Sequence, residues 1–85
     1  HNAPNPFISG TEIFFTLANN CPVEIIITDQ TGRIIKQLAD EYLFAGEHKI
    51  FWDGTGDSGH HLSKGIYFGV ITINKERSVV KMILI

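Results

Sequence analysis

The stretch Trp52-Asp53-Gly54-Thr55-Gly56-Asp57-Ser58-Gly59 decides the fold class of this chain. The residues that follow Trp52 are all Asp, Gly, Thr or Ser, and each of these residue types favours turns. Trp52 ends a segment in which apolar and polar residues alternate, and Gly65-Ile66-Tyr67-Phe68 opens a second apolar segment. The pattern predicts two aromatic-rich strands joined by a loop of turns. It indicates architecture and not a catalytic centre, with Trp52, Asp53, Gly54, Gly65 and Tyr67 as structural residues.

Size and composition exclude several classes of protein. The chain has 85 residues, of which 44% are apolar and 19% charged, and a chain of this length encloses a single core with little room for a deep cleft. The net charge of −2, without a run of like charges, disfavours nucleic acid as a partner. No apolar run approaches the ~20 residues that span a bilayer. The single Cys21 excludes an intrachain disulfide, and we expect it to be a small buried apolar residue.

Strands are predicted along most of the chain. Alternation of apolar and polar residues predicts strands over 11–17, 23–28, 47–52 and 78–85, with Val80, Met82 and Leu84 on one face of the last. The turn Asp29-Gln30-Thr31-Gly32 predicts that residues 33–38 return antiparallel to the preceding strand. Residues 39–44 are compatible with a single helical turn or a polar loop, and we expect a loop. Residues 65–74 are apolar on both faces, and a turn over 74–77 makes a second hairpin with the last strand.

The fold class predicted from this pattern is all-β, an antiparallel immunoglobulin-like β-sandwich of about seven strands. We assign residues 5–85 to this one domain. Residues 1–4 are interpreted as a linker or a leftover of cloning, because Pro4-Asn5-Pro6 has the composition of an extended join to an upstream domain.

Several ordered motifs together resemble one known family. They are Asn5-Pro6-Phe7, Val23-x-Ile25-x-Ile27-x-Asp29-x-x-Gly32-Arg33, Gly46-x-His48-x-Ile50-x-Trp52-Asp53-Gly54, Gly59, Gly65-Ile66-Tyr67-Phe68 and Lys81-Met82-Ile83-Leu84. The chain from Asn5 to Ile85 resembles the C-terminal sorting domains of the type IX secretion system and the related immunoglobulin-like domain of the flagellar hook-capping protein.

This resemblance implies a non-catalytic module that directs the secretion and surface sorting of an attached cargo protein. Its implied partners are the upstream cargo domain, the translocon proteins and a sortase-like peptidase that cleaves near or before Pro4-Asn5-Pro6. The implied location is outside the cell or on its surface, reached through the periplasm and the outer membrane. The resemblance places much of the sorting signal in the last strand, on Lys81, Met82, Ile83, Leu84 and Ile85. No enzymatic activity and no cofactor are expected.

Alternation also predicts a docking surface on the sides of the strands that face away from the core. The residues of this predicted patch are Phe14, Ile26, Phe51, Phe68 and Val70. If exposed together, they would exceed the few hundred Å² of apolar surface that a monomer ordinarily shows. An outermost last strand would in addition offer an open edge, which favours strand exchange or a homodimer.

The sequence is also compatible with other functions. A structural spacer or interaction domain, of an extracellular enzyme or of the hook-cap type, shares the fold, and a carbohydrate-binding module would require exposed aromatic residues in a row. Sugar stacking on Trp52 is the minor alternative to a core position. Asp53 and Asp57 invite a calcium loop, but turn chemistry explains them better. The pair His60-His61 lacks a third metal ligand, and Ser58, His60 and Asp57 share one loop without a strained nucleophile turn.

Overall fold

The computed structural model describes the backbone of residues 2–3 and all of residues 10–85. Within this part of the chain every regular element is a β-strand. The strands are β1 (Asn2–Ala3), β2 (Thr11–Leu17), β3 (Cys21–Thr28), β4 (Ile34–Leu43), β5 (Gly46–Trp52), β6 (Gly65–Ile73) and β7 (Glu76–Leu84). The motif Asn5-Pro6-Phe7 and the predicted join at Pro4-Asn5-Pro6 lie outside the described residues.

Two antiparallel sheets face each other across a single core. The three-stranded sheet has the order β1-β2-β5, and the four-stranded sheet has the order β4-β3-β6-β7. β1 pairs with β2 through Asn2 opposite Ile13 and Ala3 opposite Glu12. The predicted all-β, antiparallel immunoglobulin-like sandwich of about seven strands is confirmed.

The first hairpin joins β3 to β4 through the predicted turn at Asp29. The backbone N–H of Gly32 donates to the Asp29 carbonyl at 3.1 Å, and Gly32 has a φ of 88°. The Asp29 carboxylate accepts hydrogen bonds from the Thr31 hydroxyl, the Thr31 N–H and the Arg33 N–H. The Thr31 hydroxyl is the main reason that the pKa of Asp29 lies below its usual value. This side chain therefore holds the turn in the conformation that the sequence predicts.

The prediction of a loop over residues 39–44 is wrong, because β4 continues to Leu43. Its pairing with β3 is interrupted twice, between Ile25 and Ile26 and between Ile27 and Thr28. At these bulges Leu38 and Ile35 are extra residues without a partner opposite, and both pack against the core. The bulges break the period of two, and the position of β4 at the end of its sheet exposes its polar residues. Both effects remove the alternation by which a strand is identified in a sequence.

The second hairpin joins β6 to β7 and is tighter than predicted. The sequence predicts a turn over residues 74–77, whereas Ile73 pairs directly with Glu76 and only Asn74 and Lys75 form the turn. Both have positive φ, 49° for Asn74 and 72° for Lys75. This is the geometry of a two-residue type I′ turn, in which Asn is favoured first and Gly second.

Substituting Lys75→Gly is expected to stabilise the domain. A non-glycine residue in the left-handed region carries a conformational cost of about 1–2 kcal/mol, and part of this gain is offset by the greater freedom of glycine in the unfolded chain. We expect the free energy of unfolding to rise by about 0.5–1 kcal/mol, measured by urea denaturation. Lys75→Ala is the control for loss of the charge. If glycine gives no more stability than alanine, this backbone geometry is not what limits the hairpin.

The core consists of the inward side chains of both sheets, as the alternation predicts. Val80, Met82 and Leu84 face inward from β7, and Met82 is fully buried. Cys21 is buried, as expected, and is a free thiol. The buried residues are Ile13, Leu17, Cys21, Val23, Ile25, Ile27, Ala39, Trp52, Tyr67, Ile71, Met82 and Leu84. Gly69 faces the same space, and a Cβ there would lie 3.2 Å from the Met82 methyl group. The missing side chain at this position thus leaves room for Met82.

Candidate functional site

Trp52 is the anchor where β5 leaves the core. Its side chain is fully buried, and its indole N–H donates to the Thr55 carbonyl at 2.9 Å. The ring meets Tyr67 edge-on, with the ring centres 5.7 Å apart. A buried indole is not available for sugar stacking, so the core interpretation of Trp52 holds.

Tyr67 fastens the start of β6 to the segment before it. The phenol donates a hydrogen bond of 2.6 Å to the Ser63 carbonyl, four residues earlier in the chain. This is the arrangement called a tyrosine corner in immunoglobulin-like sandwiches. Burial, with a smaller contribution from the Asp29 charge, raises the pKa of Tyr67 above its usual 10.0. The stability that the neutral phenol contributes is present below pH 10 and is lost as the pH rises through its folded-state pKa.

Asp53 organises the first turn of the loop that the sequence singles out. Its Oδ1 accepts from the Thr55 hydroxyl at 2.6 Å and from the Thr55 N–H at 3.1 Å. Lys36, on β4, donates from Nζ to the Thr55 hydroxyl oxygen at 2.9 Å and lies 3.6 Å from Asp53 Oδ1. Gly54 has a φ of 81°, and its carbonyl accepts from the Leu62 N–H. This network ties the end of the three-stranded sheet to the outermost strand of the other sheet.

Asp57 attaches the middle of the same loop to β4. Its N–H donates to the Ile35 carbonyl at 2.9 Å, and its carboxylate accepts from the Gln37 N–H at 3.3 Å. The loop therefore covers the β4 backbone beside a bulge. Among the described residues, no three His, Cys, Asp or Glu side chains come together as a metal site would require. One carboxylate oxygen of Asp53 and one of Asp57, on which the calcium alternative depends, accept hydrogen bonds from the protein itself.

The pKa of Asp53 provides a test of this network. It lies below the ordinary 3.8, chiefly because the Thr55 hydroxyl donates to the carboxylate, with further contributions from the Thr55 N–H and the Lys36 charge. The stability gained in this way is present above pH 3.8 and is lost as the pH falls through the folded-state pKa. We expect Thr55→Val to raise the pKa of Asp53, as measured by NMR titration, and Thr55→Ser to preserve it. An unchanged pKa in Thr55→Val would contradict the assignment of this hydroxyl as the main cause.

The last strand divides its predicted sorting residues between the core and the surface. Met82 and Leu84 are buried, while Lys81 is exposed, Ile83 is half-buried on the outer side of the sheet, and Ile85 is 59% exposed just after the strand. A partner that binds the folded domain can therefore reach Lys81, Ile83 and Ile85 but not the other two. β7 lies at one end of the four-stranded sheet in the described part of the chain.

The five residues of the predicted apolar patch do not form one surface. Phe14 and Phe51 lie on the outer side of the three-stranded sheet, whereas Ile26, Phe68 and Val70 lie on the outer side of the four-stranded sheet. The two sets are separated by the whole thickness of the sandwich. Strand alternation shows which residues face away from the core, but not which sheet each strand joins, and this is why the single patch is wrong.

The outer side of the three-stranded sheet carries few aromatic groups. Phe51 is 58% exposed, and its ring lies over Gly10, where an added Cβ would fall 2.3 Å from the ring. Phe14 is 37% exposed and is directly opposite Lys49, which forms an ion pair of 3.9 Å with Glu12. Charged and aromatic side chains thus alternate here. They do not form the row of exposed rings that the carbohydrate-binding alternative required.

Sequence reasoning missed two features of these surfaces. The first is the bridge from Lys36 to Asp53 and Thr55, which joins residues far apart in the chain and has no local signal. The second is the extent of the apolar surface on the outer side of the four-stranded sheet, of which the predicted patch included Ile26, Phe68 and Val70 but not Ile34 and Val79. The run Gly65 to Asn74, apolar on both faces, is a further signal of this surface, since it is typical of a strand with something packed on each side.

The family model described as the FlgD Ig-like domain matches residues 8–76. This chain belongs to the FlgD Ig-like domain family. The resemblance inferred from the motifs is thereby confirmed, and the matched range spans the strands from β2 to β6. A search of curated proteins finds no match.

Solved structures with the same fold come from two settings. Dimeric latent PorU of Porphyromonas gingivalis aligns with 100% of this chain at 22% identity and a TM-score of 0.78. PorZ of the same organism, described as an essential surface component of the type IX secretion system, aligns with 100% at 23% identity and a TM-score of 0.66. FlgD of Xanthomonas campestris, a protein of flagellar hook capping, aligns with 96% at 24% identity and a TM-score of 0.69.

The chain matches only part of each of these proteins. It covers 9% of the PorU chain, 11% of the PorZ chain and 60% of the FlgD chain. A domain with this fold thus occurs as one part of larger proteins. In the part of the chain that the structure describes, no helix is long and apolar enough to cross a membrane.

Proposed function

We propose that this domain is a non-catalytic module that directs secretion and cell-surface sorting of an attached cargo protein through the type IX system. The observation that carries the proposal is the alignment of the whole chain with parts of PorU and PorZ, the second of which is a surface component of that system. The basic and apolar ending Lys81 to Ile85, in the order typical of sorting domains, adds support.

The outward side of β7 is the surface that, in this proposal, the translocon binds. Lys81, Ile83 and Ile85 present a charge and two apolar groups to a partner, while Met82 and Leu84 hold the strand in the core. In this account the translocon recognises the folded domain through the outward side chains of the last strand, and a sortase-like peptidase cleaves the chain before it. The proposed location of the cargo is the cell surface or the medium, reached through the periplasm and the outer membrane.

The loop chemistry supports a role without catalysis. Asp57, the acid of the conceivable triad with Ser58 and His60, accepts a hydrogen bond from the Gln37 N–H. The His60 carbonyl accepts from the Gly56 N–H within the same loop. These groups stabilise turns, and the proposal assigns them that task alone.

A reporter fusion tests the proposed function. The chain is placed behind a signal peptide and a reporter protein in a bacterium with a working type IX system, beside an otherwise identical strain that lacks the translocon. We expect the reporter outside the first strain and in the periplasm of the second. A second fusion ending in an unrelated immunoglobulin-like domain controls for leakage and is expected to stay in the periplasm of both strains.

The alternative function is a structural spacer or interaction domain like the one in the hook-capping protein. The match of residues 8–76 to the FlgD Ig-like domain favours it, since that family includes a protein of flagellar assembly. Retention of the reporter in both strains, with the fused domain shown to be folded by the fluorescence of Trp52, would overturn the sorting proposal and favour the spacer.

A further inference from the structure

The outer side of the four-stranded sheet carries a continuous apolar surface, here called the outer apolar face. Its apolar residues are Ile26, Ile34, Phe68, Val70 and Val79, and Gln37 and Lys81 lie on the same side at its margins. Val70 pairs directly with both Ile26 and Val79, so the three side chains form one row across β3, β6 and β7. Ile34 is 60% exposed and Val79 56% exposed, and the other three are half-buried. A sheet face left open to water ordinarily alternates apolar-in with polar-out, and this face departs from that rule.

Charged residues border the outer apolar face in an unusual order. The next row of the sheet runs Asp40, Glu24, Thr72 and Arg77 across its four strands. The two acidic residues are directly opposite each other, an arrangement that destabilises a strand pair. None of the three charged residues forms an ion pair with any described part of the chain. The acidic end lies on β4, and the basic end lies on β7.

A second copy of the domain, related by a two-fold axis parallel to the strands, would cover the apolar face and pair the charged residues beside it. Two sheets that pack face to face keep their strands nearly aligned, and this rotation places β4 of one copy over β7 of the other. Asp40 then faces Arg77 of the second copy at both ends of the contact, and Ile26 faces Val70 of the second copy at its centre. The apolar centre of each copy then meets that of the other, and the acidic β4 end meets the basic β7 end. At the margins Val79 faces Gln37 and Lys81 faces Ile34 of the second copy.

We propose that the outer apolar face is a homodimer interface, on which a second copy of this domain packs with its four-stranded sheet. Lys81 and Ile83 lie on the same side of β7 as Val79, so this dimer and the proposed translocon contact exclude each other. A shallow groove of about 290 Å³ already runs along this face between Ile34, Ile26 and Val70. The charge pairs between Asp40 and Arg77 set the orientation, and burial of the apolar row supplies the affinity. Because the axis is parallel to the strands, both copies point the same way, and the chain ends of both lie at corresponding ends of the dimer.

Charge reversal tests this interface without altering the core. Asp40 and Arg77 are both exposed, so Asp40→Arg and Arg77→Asp are expected to fold, as thermal denaturation will verify. Sedimentation equilibrium on the full chain is expected to show a monomer–dimer equilibrium, and each single reversal is expected to weaken the dimer at least about tenfold. Glu47→Lys, an equal change of charge on the outer side of the other sheet, is the control and is expected to leave the dimer unchanged.

Mixing the two reversal variants gives the decisive result. In a mixed dimer Asp40 of one chain meets Arg77 of the other, and the substituted Asp and Arg also meet, so both charge pairs are restored. We expect the mixture to dimerise where each variant alone does not. A wild-type chain that stays monomeric up to about 1 mM, a concentration that corresponds to about −4 kcal/mol of binding, would overturn the proposal. A dimer that both reversals leave unchanged would also overturn it.

Discussion

Trp52→Ala is expected to lower the free energy of unfolding by about 3–5 kcal/mol. The substitution removes the largest of the fully buried side chains, its edge-on contact with Tyr67 and its hydrogen bond to the Thr55 carbonyl. A domain of this size has only about 5–15 kcal/mol of total stability, so the variant will be largely unfolded at moderate urea concentration. Urea denaturation must be followed by far-UV circular dichroism, because Trp52 is the one tryptophan of the chain.

Trp52→Phe separates packing from hydrogen bonding at this position. Phenylalanine retains an aromatic ring but no N–H, so the buried Thr55 carbonyl loses its donor. We expect a loss of stability clearly smaller than that of the alanine variant. A loss below about 1 kcal/mol for Trp52→Ala, the size of an average mutational effect, would mean that Trp52 does not anchor the core.

Met82→Ala is the second large effect, and it tests how the last strand is divided between core and surface. Met82 is fully buried against the space left by Gly69, so its truncation is expected to cost about 2–5 kcal/mol. Val79→Ala, on the opposite side of the same strand and 56% exposed, is the matched control and, in protein dilute enough to be monomeric, is expected to stay within about 0.5 kcal/mol of wild type. Both values come from urea denaturation followed by Trp52 fluorescence. Equal losses in the two variants would contradict the inward position of Met82.

The sequence predicts those parts of the fold whose signals are local. Alternation identifies β2, β3 and β5, because one side of each faces the core and the other faces water. The turn at Asp29 is also predictable from the sequence, because the Asp29 carboxylate accepts hydrogen bonds from the backbone N–H groups of Thr31 and Arg33. At Asn74 and Lys75 the sequence lacks such a signal. A type I′ turn favours glycine at its second position, and with lysine there the sequence does not indicate the left-handed conformation that the structure shows. The turn predicted over residues 74–77 is therefore too long, because β6 continues to Ile73 and β7 begins at Glu76.

β4 and the outer surfaces show why the remainder could not be predicted. The bulges at Ile35 and Leu38 depend on the partner strand, and nothing near them in the chain signals an extra residue. Likewise, Phe51 and Phe68 both face away from the core, but the assignment of their strands to different sheets follows from long-range pairing. The predicted docking residues were therefore placed on one patch although a whole sandwich separates them.

The two sides of the last strand have different roles in the proposed function. Met82 and Leu84 have the family's apolar pattern because the core requires it, whereas Lys81, Ile83 and Ile85 are within reach of a partner. A deletion of the strand would remove both contributions at once and would not distinguish recognition from folding. Substitutions on its outward side alone can do so.

The most direct measurement compares export of the reporter fusion carrying Lys81→Glu and Ile85→Asp with export of the unsubstituted fusion. The account predicts that the exported fraction falls at least about tenfold, equivalent to about 1.4 kcal/mol of lost recognition, while the urea midpoint of the domain changes little. Lys75→Glu, which repeats the charge change of Lys81→Glu at the β6–β7 turn, is the control and should be exported normally. Normal export of the double variant, folded and stable, would contradict the claim that the outward side of the last strand carries the signal.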